Sequence, residues 1–331
     1  MTQTKIPSGI GEGALVGHIS VATICTTDLE SYKKFYGEIA EMEVEAIEIS
    51  ESEKSVQRGF WHIPADIDYG IYHFYRAAVP SLIRLRVLHL KIPTPHIHHS
   101  YNSYELGSFS LGFPTSDAKG LDKRMQEYGV GAMAPMQKGD INNPDGSVRH
   151  YLETIYHGPD FLHVVGIERI DYPQLAPCDP KNGFGGPGYS AFVAKDSDAE
   201  AEFYTKVLEY SMIFDSVWET AEGSALGVEA GVPFRFAGMY APNTKQNHFL
   251  LLEFKNGKMI DTGVPSHLPN QGLGMYSLHT TDIEKVLQNA RDYQMEILSP
   301  IQSVKDAILG EGKVALLKTP NGFYIEIFEA A

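Results

Sequence analysis

Short apolar runs with the spacing of β-strands dominate the hydrophobic pattern of this chain. Four of them are each followed, after an aspartate, by an amphipathic segment with helical spacing: GHISVATIC (17–25), SFSLGF (108–113), GYSAFVA (188–194) and GMYSLHT (274–280). Further apolar or alternating runs, such as YGIYHFYRA, HFLLLEF and FYIEIFE, come after each amphipathic segment. The pattern therefore predicts a repeated unit of one strand, one helix and three strands.

Two pairs of segments show that the unit is repeated in the sequence itself. Residues 26–44 resemble residues 194–212, and residues 115–135 resemble residues 280–300 at nearly the same separation. The aspartate at the start of each amphipathic segment suits a helix N-cap, because its side chain can accept from free backbone N–H groups. We interpret the chain as a duplicated half of two modules each.

A segment rich in proline and glycine divides the two halves. Residues 171–187, DYPQLAPCDPKNGFGGP, have the composition of a linker. The sequence therefore predicts an N-terminal domain at 1–170 and a C-terminal domain at 188–331, each with two modules.

The repeated openings and the chain's last strand resemble a known superfamily. An aspartate followed seven and eight residues later by Phe-Tyr opens modules one and three, and TPNGFYIEIFE closes the chain. These features resemble the vicinal oxygen chelate superfamily, which includes glyoxalases, bleomycin-resistance proteins and extradiol dioxygenases. A four-module chain looks most like the type I extradiol dioxygenases. The resemblance implies an α+β fold of four βαβββ modules, paired into two half-open barrels.

Composition narrows the class of partner. A net charge of −15 argues against nucleic acid and against an anionic membrane surface, since both are bound by clustered Lys and Arg. The only two cysteines, Cys25 and Cys178, form no zinc pattern and suggest a reducing cytoplasm. We expect a cytoplasmic protein that acts on a small molecule, binds neither nucleic acid nor membrane, and assembles as a homo-oligomer.

The resemblance also implies which positions line a site: one on the opening strand and one on the closing strand of every module. The opening positions are Val21, Ser110, Tyr189 and Met275, and the closing positions are His89 with Arg86 nearby, His163, Glu253 and Glu326. Extradiol chemistry needs histidines at the third and fourth openings, where this sequence has Tyr189 and Met275. We therefore expect no metal cofactor. Should iron or manganese bind, its ligands would come from His18, His163, His279 and Glu326.

The two glutamates suggest proton chemistry instead. A lone acid such as Glu326, within an apolar strand, needs a partner, because burial of an unpaired charge is costly. If the two halves repeat in space, Glu253 and Glu326 converge on one cavity, and one pKa rises. Glu326 would then act as base, Glu253 as the acid or as the partner of the base, and Tyr189 as a hydrogen-bond donor to the oxyanion.

Other residues are predicted to contribute to the site. His163 is the candidate in the other half of the chain. The predicted substrate contacts are Met275, Tyr276, His279, Trp61 and Tyr69, because aromatic and apolar side chains commonly wall ligand pockets.

The sequence thus predicts an enzyme of aromatic or cyclic compound catabolism. Its chemistry would be metal-independent proton transfer next to a carbonyl, of the isomerase, lyase or hydrolase type. One alternative is an Fe(II)- or Mn(II)-dependent ring-cleaving dioxygenase of the extradiol type. Another is a ligand-sequestering protein without catalysis, of the bleomycin-resistance type. The substrate and the half that holds the working site remain open at this stage.

Overall fold

The structure is a computed structural model that describes residues 7–142 and 146–331. Module one contains β1 Val16–Thr26, α1 Leu29–Tyr32, β2 Glu43–Ile47, α2 Glu51–Phe60, β3 Tyr69–Tyr75 and β4 Arg84–Leu90. Module two contains β5 Gly107–Pro114, α3 Ala118–Glu127, β6 Gln137–Asn142, β7 Val148–His157 and β8 His163–Arg169.

The second half of the chain repeats this order. Module three contains β9 Tyr189–Val193, α4 Ser197–Glu202, β10 Ser211–Glu219, β11 Pro233–Tyr240 and β12 His248–Phe254. Module four contains β13 Gly272–Thr280, α5 Ile283–Asp292, β14 Glu296–Asp306, β15 Gly310–Lys318 and β16 Tyr324–Ala330. The predicted α+β fold of four βαβββ modules is confirmed.

Each module helix begins at the aspartate that the sequence predicts. Every capping side chain accepts a hydrogen bond from the backbone N–H three residues later; the caps are Asp28, Asp117, Asp196 and Asp282. The bonds satisfy amide groups that have no partner within the helix. The helices α1 and α4 continue as π-helical turns, Lys33–Ile39 and Phe203–Val207, that bury the two Phe-Tyr pairs.

The strands form two sheets of eight within the described residues. The first sheet has the order β14-β15-β16-β13-β1-β4-β3-β2, and the second has β10-β11-β12-β9-β5-β8-β7-β6. Module one thus pairs with module four through antiparallel β1 and β13, and module two pairs with module three through β5 and β9. Each sheet contains strands from both halves of the chain, so the predicted division at 1–170 and 188–331 does not coincide with the division into sheets.

Alternation along the strands separates two faces of each sheet. The outer faces pack against the module helices in one shared core that includes Phe192, Phe249 and Tyr276. The opposite faces, called inner faces below, each have an apolar cluster of their own. Consecutive strand residues point to opposite faces, so register decides which side chains can share a site.

The helix α2 is an addition to the repeated unit and covers the inner face of the first sheet. Its N-terminus has a capping box, in which Ser50 and Glu53 bond each other's backbone N–H. Phe60 and the following Trp61 join the apolar cluster of that face. Across the part of the chain that the structure describes, no helix combines the length and the apolar character needed to span a membrane.

Candidate functional site

Glu326 lies at the centre of the first sheet's inner face, and its carboxylate has three donors. Oε1 accepts from Arg86 Nη1 at 3.2 Å and from Ser277 Oγ at 2.7 Å, and Oε2 accepts from Trp61 Nε1 at 2.8 Å. Glu326 is 2% exposed and Arg86 is fully buried. The partner that the buried acid requires is therefore Arg86. One arginine and two further donors therefore hold the Glu326 carboxylate in place.

A second carboxylate completes this network. Arg86 Nη2 donates to Asp306 Oδ2 at 3.2 Å, and Gln57 of α2 donates to the same oxygen at 3.3 Å. Although burial lowers the pKa of Arg86, the charges of Asp306 and Glu326 keep it above its ordinary value. The cavity left beside Trp61 and Glu326 has a volume of about 10 Å³, the space of one water molecule. In this conformation the first sheet has a packed charged core.

The predicted substrate contacts of this sheet fill that core. Trp61 and Tyr69 are buried with ring centres 6.4 Å apart, and Met275 is fully buried in the same cluster. His279 Nδ1 lies 2.8 Å from Ser20 Oγ. Tyr276 was placed wrongly by the prediction, because it faces the shared helix-side core and its hydroxyl bonds Ser190 at 2.8 Å.

The predicted convergence of Glu253 with Glu326 is wrong for two structural reasons. Glu253 belongs to β12 in the second sheet, whereas Glu326 belongs to β16 in the first. Moreover, Tyr189 pairs with His248, and Glu253 lies an odd number of positions from His248, on the opposite face. There it accepts from Ser197 Oγ at the beginning of α4 and pairs with Lys255 Nζ at 2.6 Å.

A substitution at Glu253 should therefore have little effect. Its ion pair with Lys255 is part-exposed, and such pairs contribute about 1 kcal/mol or less. We expect Glu253→Gln to change the free energy of unfolding by less than about 1 kcal/mol, as measured by urea denaturation. A loss above about 3 kcal/mol would show that the carboxylate is part of a buried network.

The inner face of the second sheet has a different set of side chains at the equivalent positions. Ser110 pairs with His163 across β5 and β8, and Tyr189 pairs with His248 across β9 and β12. The residue that faces the opening position of module three is thus His248, which sequence reasoning missed because it assigned the closing position of that module to Glu253. A strand's register cannot be read from its own sequence when most of its residues are apolar.

Tyr189 lies across the neighbouring strand in a place that only glycine leaves open. A Cβ on Gly112 would come within 1.9 Å of the Tyr189 ring. The ring also stacks on His248 with centres 5.3 Å apart, and His248 stacks on Tyr240 at 4.0 Å. Burial first, and then the charge of Glu153, raise the pKa of Tyr189 well above its ordinary value, so the phenol keeps its proton.

Filling this space should displace the phenol. We expect Gly112→Ala to destabilise the protein by about 1–3 kcal/mol through overpacking, because the new Cβ cannot coexist with the Tyr189 ring where it now lies. Thermal unfolding of Gly112→Ala would be compared with that of two double variants, in which Tyr189→Phe or Tyr189→Leu is added. Recovery is expected only with leucine, whose side chain vacates the ring position. Equal stability of Gly112→Ala and wild type would contradict the packing described.

Glu153 is a carboxylate on the inner face of the second sheet. It lies on β7, pairs with Ile167 and belongs to the same face as Tyr151. Burial alone raises the pKa of Glu153 from an ordinary value of 4.5 to about 7. No described residue forms a hydrogen bond or ion pair with its carboxylate, yet the side chain is only half-buried and so remains open to a ligand.

Glu153 was not among the predicted site residues. The resemblance directs attention to the first and last strand of each module, whereas β7 is the third strand of module two. The signal available in the sequence is the alternation in VRHYLETIYH, which places Tyr151, Glu153 and Ile155 on one face. An acid between apolar residues on that face is the same anomaly that singles out Glu326.

The donor set for a divalent metal, which the fold family implies, is not assembled. In residues 7–142 and 146–331, no group of three or more His, Cys, Asp or Glu side chains is arranged to hold a metal ion. Beside Glu326, the Arg86 guanidinium takes the place that a cation would need. The residues predicted as ligands of a bound iron or manganese ion do not form one site either. His18 contacts Asn247, His279 contacts Ser20, and His163 belongs to the second sheet. These residues do not fit such an ion.

Solved structures share this architecture. Glyoxalase I from Zea mays superimposes with a TM-score of 0.59 over 94% of this chain and 92% of its own, at 15% identity. A point mutant of the same enzyme gives a TM-score of 0.60 with the same coverage and identity. A structure named "putative dioxygenase", from Bacillus subtilis, gives 0.56 over 96% of this chain and 86% of its own, at 12% identity.

The chain has the glyoxalase fold. This is the fold of the vicinal oxygen chelate superfamily, as the repeated modules predict. No protein-family model matches the sequence, and no curated protein is matched by it. At such low sequence identity, the likeness establishes the glyoxalase fold, and function has to be argued from the side chains of the site.

Proposed function

We propose that this protein is an enzyme that transfers a proton at a carbon next to a carbonyl, with Glu153 as the general base. The observation that supports the proposal is the unpaired, half-buried carboxylate of Glu153, whose pKa of about 7 suits a base near neutral pH. This keeps the isomerase, lyase or hydrolase chemistry expected from the sequence and moves the base from Glu326 to the second sheet.

Two phenols and one guanidinium would stabilise the enolate that forms when the proton leaves. Burial raises the pKa of Tyr151 to about 12 and that of Tyr189 further, so both hydroxyls are donors at pH 7. The Glu153 charge contributes to both shifts, which means that the three groups lie close enough to interact. Arg169, paired with Tyr151 across β7 and β8, supplies positive charge. Donors fixed before the reaction stabilise developing negative charge effectively.

Aromatic side chains share the inner face of the second sheet with these polar groups and favour a cyclic substrate. The Arg169 guanidinium lies 4.7 Å from the centre of the Tyr172 ring. Tyr240 stacks on His248, and Phe236 belongs to the apolar cluster of the same face. Flat apolar walls beside a few polar groups are typical of small-molecule sites and support an aromatic or cyclic ketone or acid as the substrate class.

Solvent exchange tests this proposal without knowledge of the physiological substrate. Cyclic and aromatic carbonyl compounds would be incubated with the protein in D₂O, and loss of the α-proton signal would be followed by NMR. We expect wild type and Glu253→Gln to catalyse exchange of at least one compound and Glu153→Gln to be inactive. Equal exchange by wild type and Glu153→Gln would refute the role of Glu153.

The dioxygenase alternative is supported by the similarity to the Bacillus subtilis structure, but it lacks an assembled set of iron ligands among the described residues. The sequestering alternative predicts that the cyclic compounds bind to wild type without exchange. The cytoplasmic location and the homo-oligomeric state remain predictions from the sequence.

A further inference from the structure

Two histidines and one methionine converge near the other end of β7 and β8. His157 and His163 are direct register partners, so their rings lie on one face. His157 Nε2 and His163 Nε2 are each 3.3 Å from the sulfur of Met133. The proposed chemistry at Glu153 uses none of these three side chains.

The hydrogen-bond partners of His163 leave the lone pair of one ring nitrogen without a donor. A neutral imidazole, the form that binds a metal, has one N–H. The Nδ1 of His163 lies 3.2 Å from the Phe109 carbonyl oxygen and its Nε2 faces the Met133 sulfur. A carbonyl and a thioether can only accept. With the proton on Nδ1, the Nε2 lone pair lies beside the sulfur, and an ion to one side of the line joining the two atoms could bind both.

Backbone contacts hold the three side chains in place. The Met133 N–H donates to the Ile155 carbonyl at 2.8 Å, and the His157 N–H donates to the Gly131 carbonyl at 2.8 Å. The Tyr101 ring stacks on His157 with centres 3.9 Å apart. Met133 is only half-buried, which leaves a route for an ion from solvent. The arrangement is therefore fixed in advance and accessible, as a metal site requires.

We propose that His157, His163 and Met133 bind one Cu(I) ion. Imidazole and thioether ligands select Cu(I), whereas Zn(II), Fe(II) and Mn(II) sites depend on thiolate, further imidazoles or carboxylates. Of the three proposed ligands, only His163 occupies a closing position at which the fold's divalent ligands are expected, whereas Met133 and His157 occupy neither an opening nor a closing position.

Anaerobic titration of the full chain with Cu(I), against the coloured competitor bicinchoninate, tests the proposal. We expect one tightly bound Cu(I) per chain in wild type. Removing a ligand should weaken Cu(I) binding by at least about tenfold. Loss of a group that only orients a metal ligand typically weakens binding by about 10–100-fold, and loss of the ligand itself should cost no less. The variants are Met133→Leu and His157→Gln, and Met136→Leu is the matched control that should bind like wild type.

X-ray absorption of the copper-loaded protein gives a second, independent readout. We expect a sulfur neighbour of copper in wild type and in Met136→Leu and its loss in Met133→Leu, with far-ultraviolet circular dichroism confirming that each variant is folded. Binding by Met133→Leu with the wild-type affinity would overturn the assignment. So would displacement of Cu(I) by an equal concentration of Zn(II), or a copper spectrum without sulfur in wild type.

Discussion

Replacing Arg86 with methionine is expected to lower the free energy of unfolding by about 3–5 kcal/mol, the range for removal of one partner from a buried ion pair. Arg86 is the cation for two buried carboxylates, Glu326 and Asp306, at 3.2 Å each. Methionine would leave both acids without a cation in a core from which the Trp61 ring and α2 exclude solvent. The measurement is chemical denaturation at pH 7.

An exposed ion pair provides the matched control. Lys313 and Glu329 pair at 3.4 Å on the rim of the same sheet, and Lys313→Met should cost about 1 kcal/mol or less. Combining Arg86→Met with Glu326→Gln should cost less than the sum of the single changes, because the second removes a charge that the first leaves unpaired. A loss below about 1 kcal/mol for Arg86→Met, or strict additivity, would contradict the charged core described here.

The second large effect concerns Glu153. Replacement with glutamine should reduce proton exchange by about 10²–10⁴-fold, the usual contribution of a general base. The wild-type rate should rise with pH and level off with an apparent pKa near 7, because only the ionised carboxylate removes a proton. A rate that is independent of pH between 5 and 9 would contradict this assignment.

The same substitution should stabilise the protein in alkaline solution. Since the folded-state pKa of about 7 is above the ordinary 4.5, the folded protein binds more protons at Glu153 than the unfolded chain does. Stability is therefore lost as pH rises from 4.5 through 7, by up to about 3 kcal/mol. Glu153→Gln avoids that cost, so its advantage over wild type should be largest at pH 8 and absent at pH 4. Equal stability at pH 8 would contradict the burial of an unpaired charge.

Local sequence signals were sufficient to predict the modules. An aspartate before an amphipathic segment specifies where each helix begins, and all four of these caps are confirmed. Short apolar runs specified the opening strands, which are buried on both faces. The capping box of α2 could have been read from Ser50 and Glu53 in the same way.

The composition of the site could not be predicted, because it depends on contacts between distant segments. The sequence of a module does not indicate which other module will share its sheet, because the four modules are similar. The pairing of module one with module four was therefore missed. The need of Glu326 for a partner was correctly foreseen, but Arg86 is 240 positions away. A shift of register separated Glu253 from Tyr189, since an odd offset sends a strand residue to the other face.

The central claim is that Glu153 is a carboxylate that changes protonation near neutral pH. Carbon-13 NMR of protein labelled at the glutamate side-chain carboxyl, with the Glu153 signal assigned by its absence in Glu153→Gln, measures this directly. We predict a titration midpoint near pH 7 for Glu153. A midpoint near 4.5 would contradict the account, because the carboxylate would then be an ordinary solvated acid with no particular capacity to take a proton from carbon.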